Sequence, residues 1–174
     1  MFIPVILGTA REGRQSEKAA KFVLEEVLKY GLESELLDVR DYLFGLTDST
    51  KQTDSAKKFA QKLTTAAGLI IVAPEYNHGY PGELKLMLDS LYQEYAGKLL
   101  GICGVSAGGL GGSRMVEQLR QVAIEFRLIP IREAVYFSGI QNLFEGDKIK
   151  DPSLSGRIKT MLDELVSYAK KLNT

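Results

Sequence analysis

Phe2-Ile3-Pro4-Val5-Ile6-Leu7-Gly8-Thr9-Ala10-Arg11-Glu12-Gly13-Arg14-Gln15-Ser16 passes from an apolar run into a loop of small residues carrying two arginines. Beyond it, Ala19, Val23 and Val27 recur at helical spacing. A short apolar strand, a glycine-bearing loop and an amphipathic helix, in that order, form the first half of a βαβ unit. The same alternation continues to the end of the chain. Further strands are predicted at Glu35 to Val39, Leu69 to Ala73, Leu99 to Val105 and Ala134 to Phe137. Three of the five runs are apolar at consecutive positions, as strands covered on both faces should be. Helical stripes fall at Ala56, Phe59, Ala60 and Leu63, at Val116, Leu119, Ala123 and Phe126, and from Leu154 through Ile158, Met161, Leu165 and Ala169 to Leu172. The pattern predicts one α/β domain with a parallel sheet.

A fifth helix is expected after Pro81, through Leu84, Met87, Leu88, Leu91 and Tyr92 towards Tyr95. Its apolar positions surround more of the helix than one sheet face needs, so it either meets another subunit or lies deeper in the core. Leu46 to Asp54 and Gly139 to Asp151 read as the longer polar, turn-rich loops.

Composition removes several functional classes. The 174 residues are 45% hydrophobic and 25% charged, with 22 Lys plus Arg against 22 Asp plus Glu. A net charge of zero gives no excess positive field for a nucleic-acid backbone or an anionic membrane. One cysteine, Cys103, and one histidine, His78, exclude an internal disulfide and a Cys/His zinc cluster. Cys103 lies within an apolar strand and reads as a small buried hydrophobe rather than a nucleophile. Met1 to Leu7 lacks a basic leader and is too short for a signal peptide or membrane span, so a cytoplasmic protein is expected.

In a parallel sheet the loops after strands one, three and four share one end, where open α/β folds bind ligands. The first, Gly8 to Ser16, offers backbone N–H groups, the hydroxyls of Thr9 and Ser16, and Arg11 and Arg14 at a helix N-terminus, and reads as a phosphate site. Arg14-Gln15 stands where a Walker A loop needs Lys-Ser/Thr, and the G-x-G-x-x-G spacing of dinucleotide sites is missing. Taken alone, the loop could also be a solvated turn with Ser16 as helix cap. The second, Pro74-Glu75-Tyr76-Asn77-His78-Gly79-Tyr80-Pro81-Gly82, is stiffened by two prolines and suits the edge and face of a flat heteroaromatic ring. Its alternative is a rigid turn whose tyrosines cover the sheet end. The third, Ser106-Ala107-Gly108-Gly109-Leu110-Gly111-Gly112-Ser113, permits close backbone approach to a ligand or is a flexible connection.

Pro74-Glu75-Tyr76-Asn77 followed by Gly79-Tyr80-Pro81-Gly82, Leu84-Lys85 and Leu88-Asp89 resembles the signature of the NADPH-dependent FMN reductase family. The first loop is similar to the family's phosphate loop at Gly8, Thr9, Arg11 and Ser16, and the third to its Ser-x-Gly-Gly segment. Arg14 departs from the small hydroxyl residue that many members have. The resemblance implies a flavodoxin-like three-layer sandwich with a five-stranded parallel sheet in the order 2-1-3-4-5. It implies FMN as bound cofactor and NADPH or NADH as reductant. Thr9, Arg11, Arg14, Gln15 and Ser16 would hold the phosphate; Pro74, Glu75, Tyr76 and Asn77 would contact the ring; Ser106, Ala107, Gly108 and Gly109 would lie near its pyrimidine edge. The expected reaction moves a hydride from NAD(P)H to FMN and then electrons to a small acceptor: a quinone, an azo compound, a free flavin or a metal oxyanion. A homodimer or homotetramer is implied too. A non-enzymatic flavin-bound electron carrier or redox-sensing interaction module is the alternative, although carriers of the flavodoxin type are usually strongly acidic and this chain is neutral.

Overall fold

The computed structural model describes residues 1–43 and 53–172; most of the expected Leu46 to Asp54 loop lies outside the described residues. The elements run β1 (Val5–Leu7), α1 (Ser16–Lys29), β2 (Leu36–Asp38), α2 (Asp54–Thr65), β3 (Gly68–Pro74), α3 (Gly82–Leu88), β4 (Leu99–Val105), α4 (Ser113–Glu125), β5 (Ile129–Phe137), α5 (Ile140–Leu143), β6 (Phe144–Glu145), β7 (Lys148–Ile149) and α6 (Ser153–Leu172), with 3₁₀ turns at Val39–Tyr42 and Gln93–Tyr95. The main sheet is parallel, five-stranded and ordered β2-β1-β3-β4-β5, as the resemblance implied. Order reverses between β1 and β3, which places the loops that follow these two strands beside one another.

Side-chain alternation along the strands fills two cores. Val5, Leu7, Ile70 and Val72 face α1 and α6, packing with Ala19, Val23, Val27, Ile158, Met161 and Leu165. Ile6, Leu69, Ile71 and Ala73 face the other layer, with Phe59, Leu63, Leu84, Met87 and Leu119. Burial on both sides is why these strands are apolar at successive positions. Cys103 is buried, and desolvation pushes its thiol up to about 12, so it stays a packed, protonated side chain. No helix among the described residues is long and apolar enough to cross a membrane.

Strand β2 is one residue shorter at each end than the expected Glu35 to Val39, Val39 opening a 3₁₀ turn, and four further expectations need correction. Strand β1 starts at Val5 rather than Phe2, because Pro4 has no N–H to give the ladder; Phe2 makes only an isolated bridge with Glu33. Strand β5 starts at Ile129, well before Ala134, its Pro130 tolerated on the sheet's edge. Gly139 to Asp151 is not one loop: it holds α5 and the β6–β7 hairpin, anchored by buried Phe144 packed edge-on against Phe22 at 6.3 Å.

The helix after Pro81 ends at Leu88, not Tyr95. Its last carbonyls accept from side chains as well as from backbone N–H groups: the Ser90 hydroxyl donates to Met87 O at 2.6 Å and the Tyr95 hydroxyl to Leu88 O at 3.0 Å, beside the N–H groups of Ser90 and Leu91. Leu84, Met87, Leu88, Leu91 and Tyr95 are all buried within this one chain, and Tyr92 alone of the group is exposed. The apolar surplus read from the sequence is therefore core, and it gives no argument for a second subunit.

Candidate active site

The loops after β1, β3 and β4 are fastened to each other by the strand ends. Gly8 N donates to Val72 O at 2.9 Å, Glu75 N to Val105 O at 3.0 Å, and Ser106 N to Phe137 O at 3.1 Å. Between them lies a cavity of about 340 Å³, within the size range of small-molecule sites. Arg11, Arg14, Gln15 and Ser16 line it from the first loop, Pro74, Glu75 and Tyr76 from the second, and Ser106 and Ala107 from the third. Nine of the thirteen residues singled out in the sequence thus share one cavity.

In the first loop, Gly13 takes φ +65°, a left-handed conformation that lets the chain turn into α1. The helix begins with Gln15 at the cap position and no side-chain cap, so Ser16 is not the cap the sequence suggested. The Ser16 hydroxyl is instead buried without a hydrogen-bond partner among the described residues. The first-turn amides have no intrahelical acceptor by helix geometry, and the N–H groups of Gly13 to Glu17 find none elsewhere among the described residues. Arg11 is exposed, makes no ion pair among the described residues, and lies 5.9 Å from the centre of the Tyr76 ring. A free cation, an unpaired hydroxyl and the positive end of a helix are the donors that binding of an anion calls for.

Arg14 differs from Arg11. Its side chain is 3% exposed and grips Asp38 with both terminal nitrogens, while Nε donates to Glu17 at 3.4 Å and Nη1 also to Thr9 O. Burial opposes the charge, yet the Asp38 hydrogen bonds and attraction outweigh it, and the Arg14 pKa rises above its ordinary value. Thr9 is fully buried and does not line the cavity. Its hydroxyl donates to Glu83 Oε1 at 3.0 Å and accepts from Arg11 N at 3.3 Å, with the Tyr76 hydroxyl 3.2 Å away.

The second loop is a tight turn: Tyr76 N donates to Gly79 O and Gly79 N to Tyr76 O, both at 2.9 Å, with Asn77 and His78 at φ +50° and +70°. Asn77 and His78 are exposed and outside the cavity. Glu75 is held by Arg114, whose Nε donates at 2.7 Å and whose backbone N–H donates at 3.3 Å.

The glycines of the third loop divide in two. Gly111 and Gly112 have positive φ, and a Cβ on either would strike Tyr136 Cβ at 2.7 Å or Val105 N at 2.8 Å, so the fold requires them. A Cβ on Gly108 or Gly109 would meet nothing within 4 Å. Packing within the chain leaves those two unexplained, and the N–H groups of Ala107, Gly108 and Gly109 donate to nothing among the described residues. Neither glycine lines the cavity as measured, although both adjoin Ala107, which does.

Glu12, Gly13, Val105 and Ile140 also line the cavity and were not singled out. Ile140 arrives because its N–H donates to Ser106 O at 3.1 Å, joining the loops after β4 and β5. No spacing in the sequence marks that contact. No group of three or more potential metal ligands occurs among the described residues.

The family model for NADPH-dependent FMN reductase matches residues 1–142. An NAD(P)H-dependent FMN reductase of Schizosaccharomyces pombe is 33% identical over 145 residues, covering 76% of this chain and 72% of the relative. An FMN-dependent NADPH-azoreductase of Staphylococcus haemolyticus is 25% identical over 175 residues, covering 94% and 93%. Among solved structures, the NAD(P)H:acceptor oxidoreductase FerB of Paracoccus denitrificans superposes with a TM-score of 0.83 at 20% identity, covering 95% of this chain and 97% of that one, and so shares the fold. With that match over most of its length, the chain belongs to the NADPH-dependent FMN reductase family and is an oxidoreductase.

Proposed function

We propose that this oxidoreductase holds FMN in the cavity at the ends of β1, β3 and β4 and passes electrons from NADPH or NADH to a quinone or azo compound. The observation that carries the reading is the unpartnered, buried Ser16 hydroxyl beside the free Arg11 and the open first turn of α1. These donors fit a phosphate group and have no acceptor among the described residues. FMN supplies the hydride and electron chemistry when bound.

Side chains of the site have positioning work to do. Arg11, Gln15, Ser16 and the first-turn amides would hold the phosphate. Pro74 to Tyr76, fixed between a strand end and a tight turn, would border the ring, and the free N–H groups of Ala107, Gly108 and Gly109 would donate to its electron-rich edge. The open positions of Gly108 and Gly109 fit that close approach. Asn77 belongs to the turn that stiffens this border rather than to the cavity.

Quinone and azo acceptors are supported by relatives named as a quinone reductase of Pseudomonas putida, 24% identical, and the azoreductase above. A cytoplasmic setting and a homodimer or homotetramer are part of the same proposal. The test is direct: the purified protein should be yellow, or become so on adding FMN, and should show parallel double-reciprocal lines with NADPH and a quinone, because both substrates use one exposed ring face. Colourless protein that FMN cannot reconstitute overturns the reading. Intersecting lines give the acceptor a separate site.

A further inference from the structure

We propose that Asp38, an acidic residue of the wrong sign for a phosphate ligand, sets the affinity for the phosphate-bearing cofactor by bracing the first loop through Arg14 and Arg40. The inference rests on the FMN reading and assigns roles that reading leaves open.

Asp38 is the last residue of β2 and pairs in register with Leu7, directly before the loop. Both of its oxygens are taken by the Arg14 guanidinium, one at 2.8 Å. That fork then reaches across to Thr9 O. The same carboxylate accepts from Arg40 N at 3.0 Å and so starts the 3₁₀ turn that carries Arg40. Arg40 in turn donates from Nε to Ala10 O at 3.1 Å and from Nη2 to Arg11 O at 2.8 Å. Three successive loop carbonyls, Thr9, Ala10 and Arg11, are therefore held by two arginines that share one carboxylate.

The consequence follows from peptide geometry. In a trans peptide the C=O of one residue and the N–H of the next point in opposite directions. Fixing the Arg11 carbonyl on Arg40 turns the Glu12 N–H away from Arg40, and fixing Thr9 and Ala10 sets the two amides before it. Carbonyl oxygens free to swing towards a phosphate would repel it; here their negative ends are neutralised by cations. Arg14, with its donors committed to Asp38, Glu17 and Thr9 O, has no free fork for a phosphate and is a positioning residue. Among the described residues, the free cation of the loop is Arg11.

Asp38→Asn separates this arrangement from direct contact by Arg14, because the two give opposite signs. Dissociation constants of FMN and riboflavin would be measured by flavin fluorescence on apoprotein of the wild type, Asp38→Asn, Arg14→Met and the double variant. The brace requires Asp38→Asn to weaken FMN about tenfold with riboflavin little changed, and the double variant to bind FMN no more weakly than the worse single variant. Unchanged or tighter FMN binding in Asp38→Asn is the result of a released Arg14 reaching the phosphate, and overturns the proposal. Equal losses for FMN and riboflavin overturn it too, since they mean general loosening of the fold. Asp38→Asn is nearly isosteric and can still accept from Arg40 N, so it carries the test even if Arg14→Met does not fold. Wild-type apoprotein that binds neither flavin fails the FMN reading itself and is recognised as such.

Discussion

The Glu83 carboxylate, in the first turn of α3, holds the start of the first loop by one oxygen, which accepts from the Thr9 hydroxyl at 3.0 Å and the Ala10 N–H at 2.9 Å. A residue of the helix after β3 thereby fixes the loop after β1. Gly8 makes the approach possible, since a Cβ there would lie 3.0 Å from both Ala73 Cβ and Leu84 Cδ2. With Asp38 and its arginines also bonded to it, the first loop is clamped by both neighbouring segments.

Glu83→Ala should accordingly lower stability by about 1–3 kcal/mol, because the Ala10 N–H and Thr9 hydroxyl are left short of a partner. Glu83→Gln keeps an acceptor oxygen and should cost under about half of that. Urea unfolding of the apoprotein gives both values. Equal stability of the alanine variant and the wild type would remove Glu83 from the clamp.

Arg11 and Ser16 should separate binding from folding. Arg11→Ala removes a charge-assisted contact worth about 1.5–3 kcal/mol and should weaken FMN ten- to hundredfold, with riboflavin barely affected. Ser16→Ala removes a buried hydroxyl that has no partner among the described residues. It should weaken FMN by a smaller factor while leaving the apoprotein's melting temperature unchanged or higher, since no cap is lost. A fall in apoprotein stability would show that Ser16 has a structural partner after all. An unchanged FMN dissociation constant in Arg11→Ala would exclude Arg11 from the site.

Much of this arrangement was legible in the sequence, and the illegible parts have physical causes. Doubly covered strands write themselves as consecutive apolar residues, so β3 and β4 stood out almost to the residue. The short edge-proximal β2 and the proline-interrupted β1 carry weaker signals and were drawn too long. Helix α3 was overextended because burial around a 3₁₀ turn gives the same apolar spacing as a helix, and the side-chain bonds of Ser90 and Tyr95 that end it have no local signature. In the candidate site, residue types picked out three loops that the fold brings to one cavity. What they could not show was partnership: Arg11 and Arg14 look alike in sequence, and only the position of Asp38, 24 residues on from Arg14, commits one and leaves the other free. Thr9 was likewise chosen for its hydroxyl, which the fold turns to Glu83.

Acid should loosen the clamp. At Asp38, burial favours the neutral acid, but hydrogen bonds from Arg14 and Arg40 N, with attraction to both cations, hold the pKa below its ordinary value. At Glu83, burial is likewise outweighed, by the bonds from the Ala10 N–H and the Thr9 hydroxyl. A carboxylate depressed on folding contributes stability that is complete above its unfolded pKa, about 4, and lost as pH falls through its lower folded pKa. Between about pH 6 and 8 these two groups should add no slope to the melting temperature. Below about pH 4 stability should fall, and Asp38→Asn with Glu83→Gln should make that fall shallower. Melting curves of the double variant that parallel the wild type through the acid limb would contradict the assignment.

Leu91 and Tyr92 are neighbours in sequence with opposite fates. Leu91 is 1% exposed, in the core layer with Leu88, Tyr95 and Phe126, whereas Tyr92 is 39% exposed, its ring edge-on to Phe126 at 6.5 Å and its hydroxyl donating to Glu125 at 3.3 Å. A charge at Leu91 would be buried without a partner, so Leu91→Glu should cost several kcal/mol, about 3 or more, and yield unfolded or insoluble protein whatever the assembly. Tyr92→Lys loses one aromatic contact and an exposed hydrogen bond, about 1 kcal/mol, and should fold. Only the second substitution can therefore report on association. If the proposed dimer uses the face around Tyr92, light scattering of Tyr92→Lys should shift towards the monomer mass with far-ultraviolet dichroism unchanged. A folded variant with the wild-type mass would place Tyr92 outside any interface.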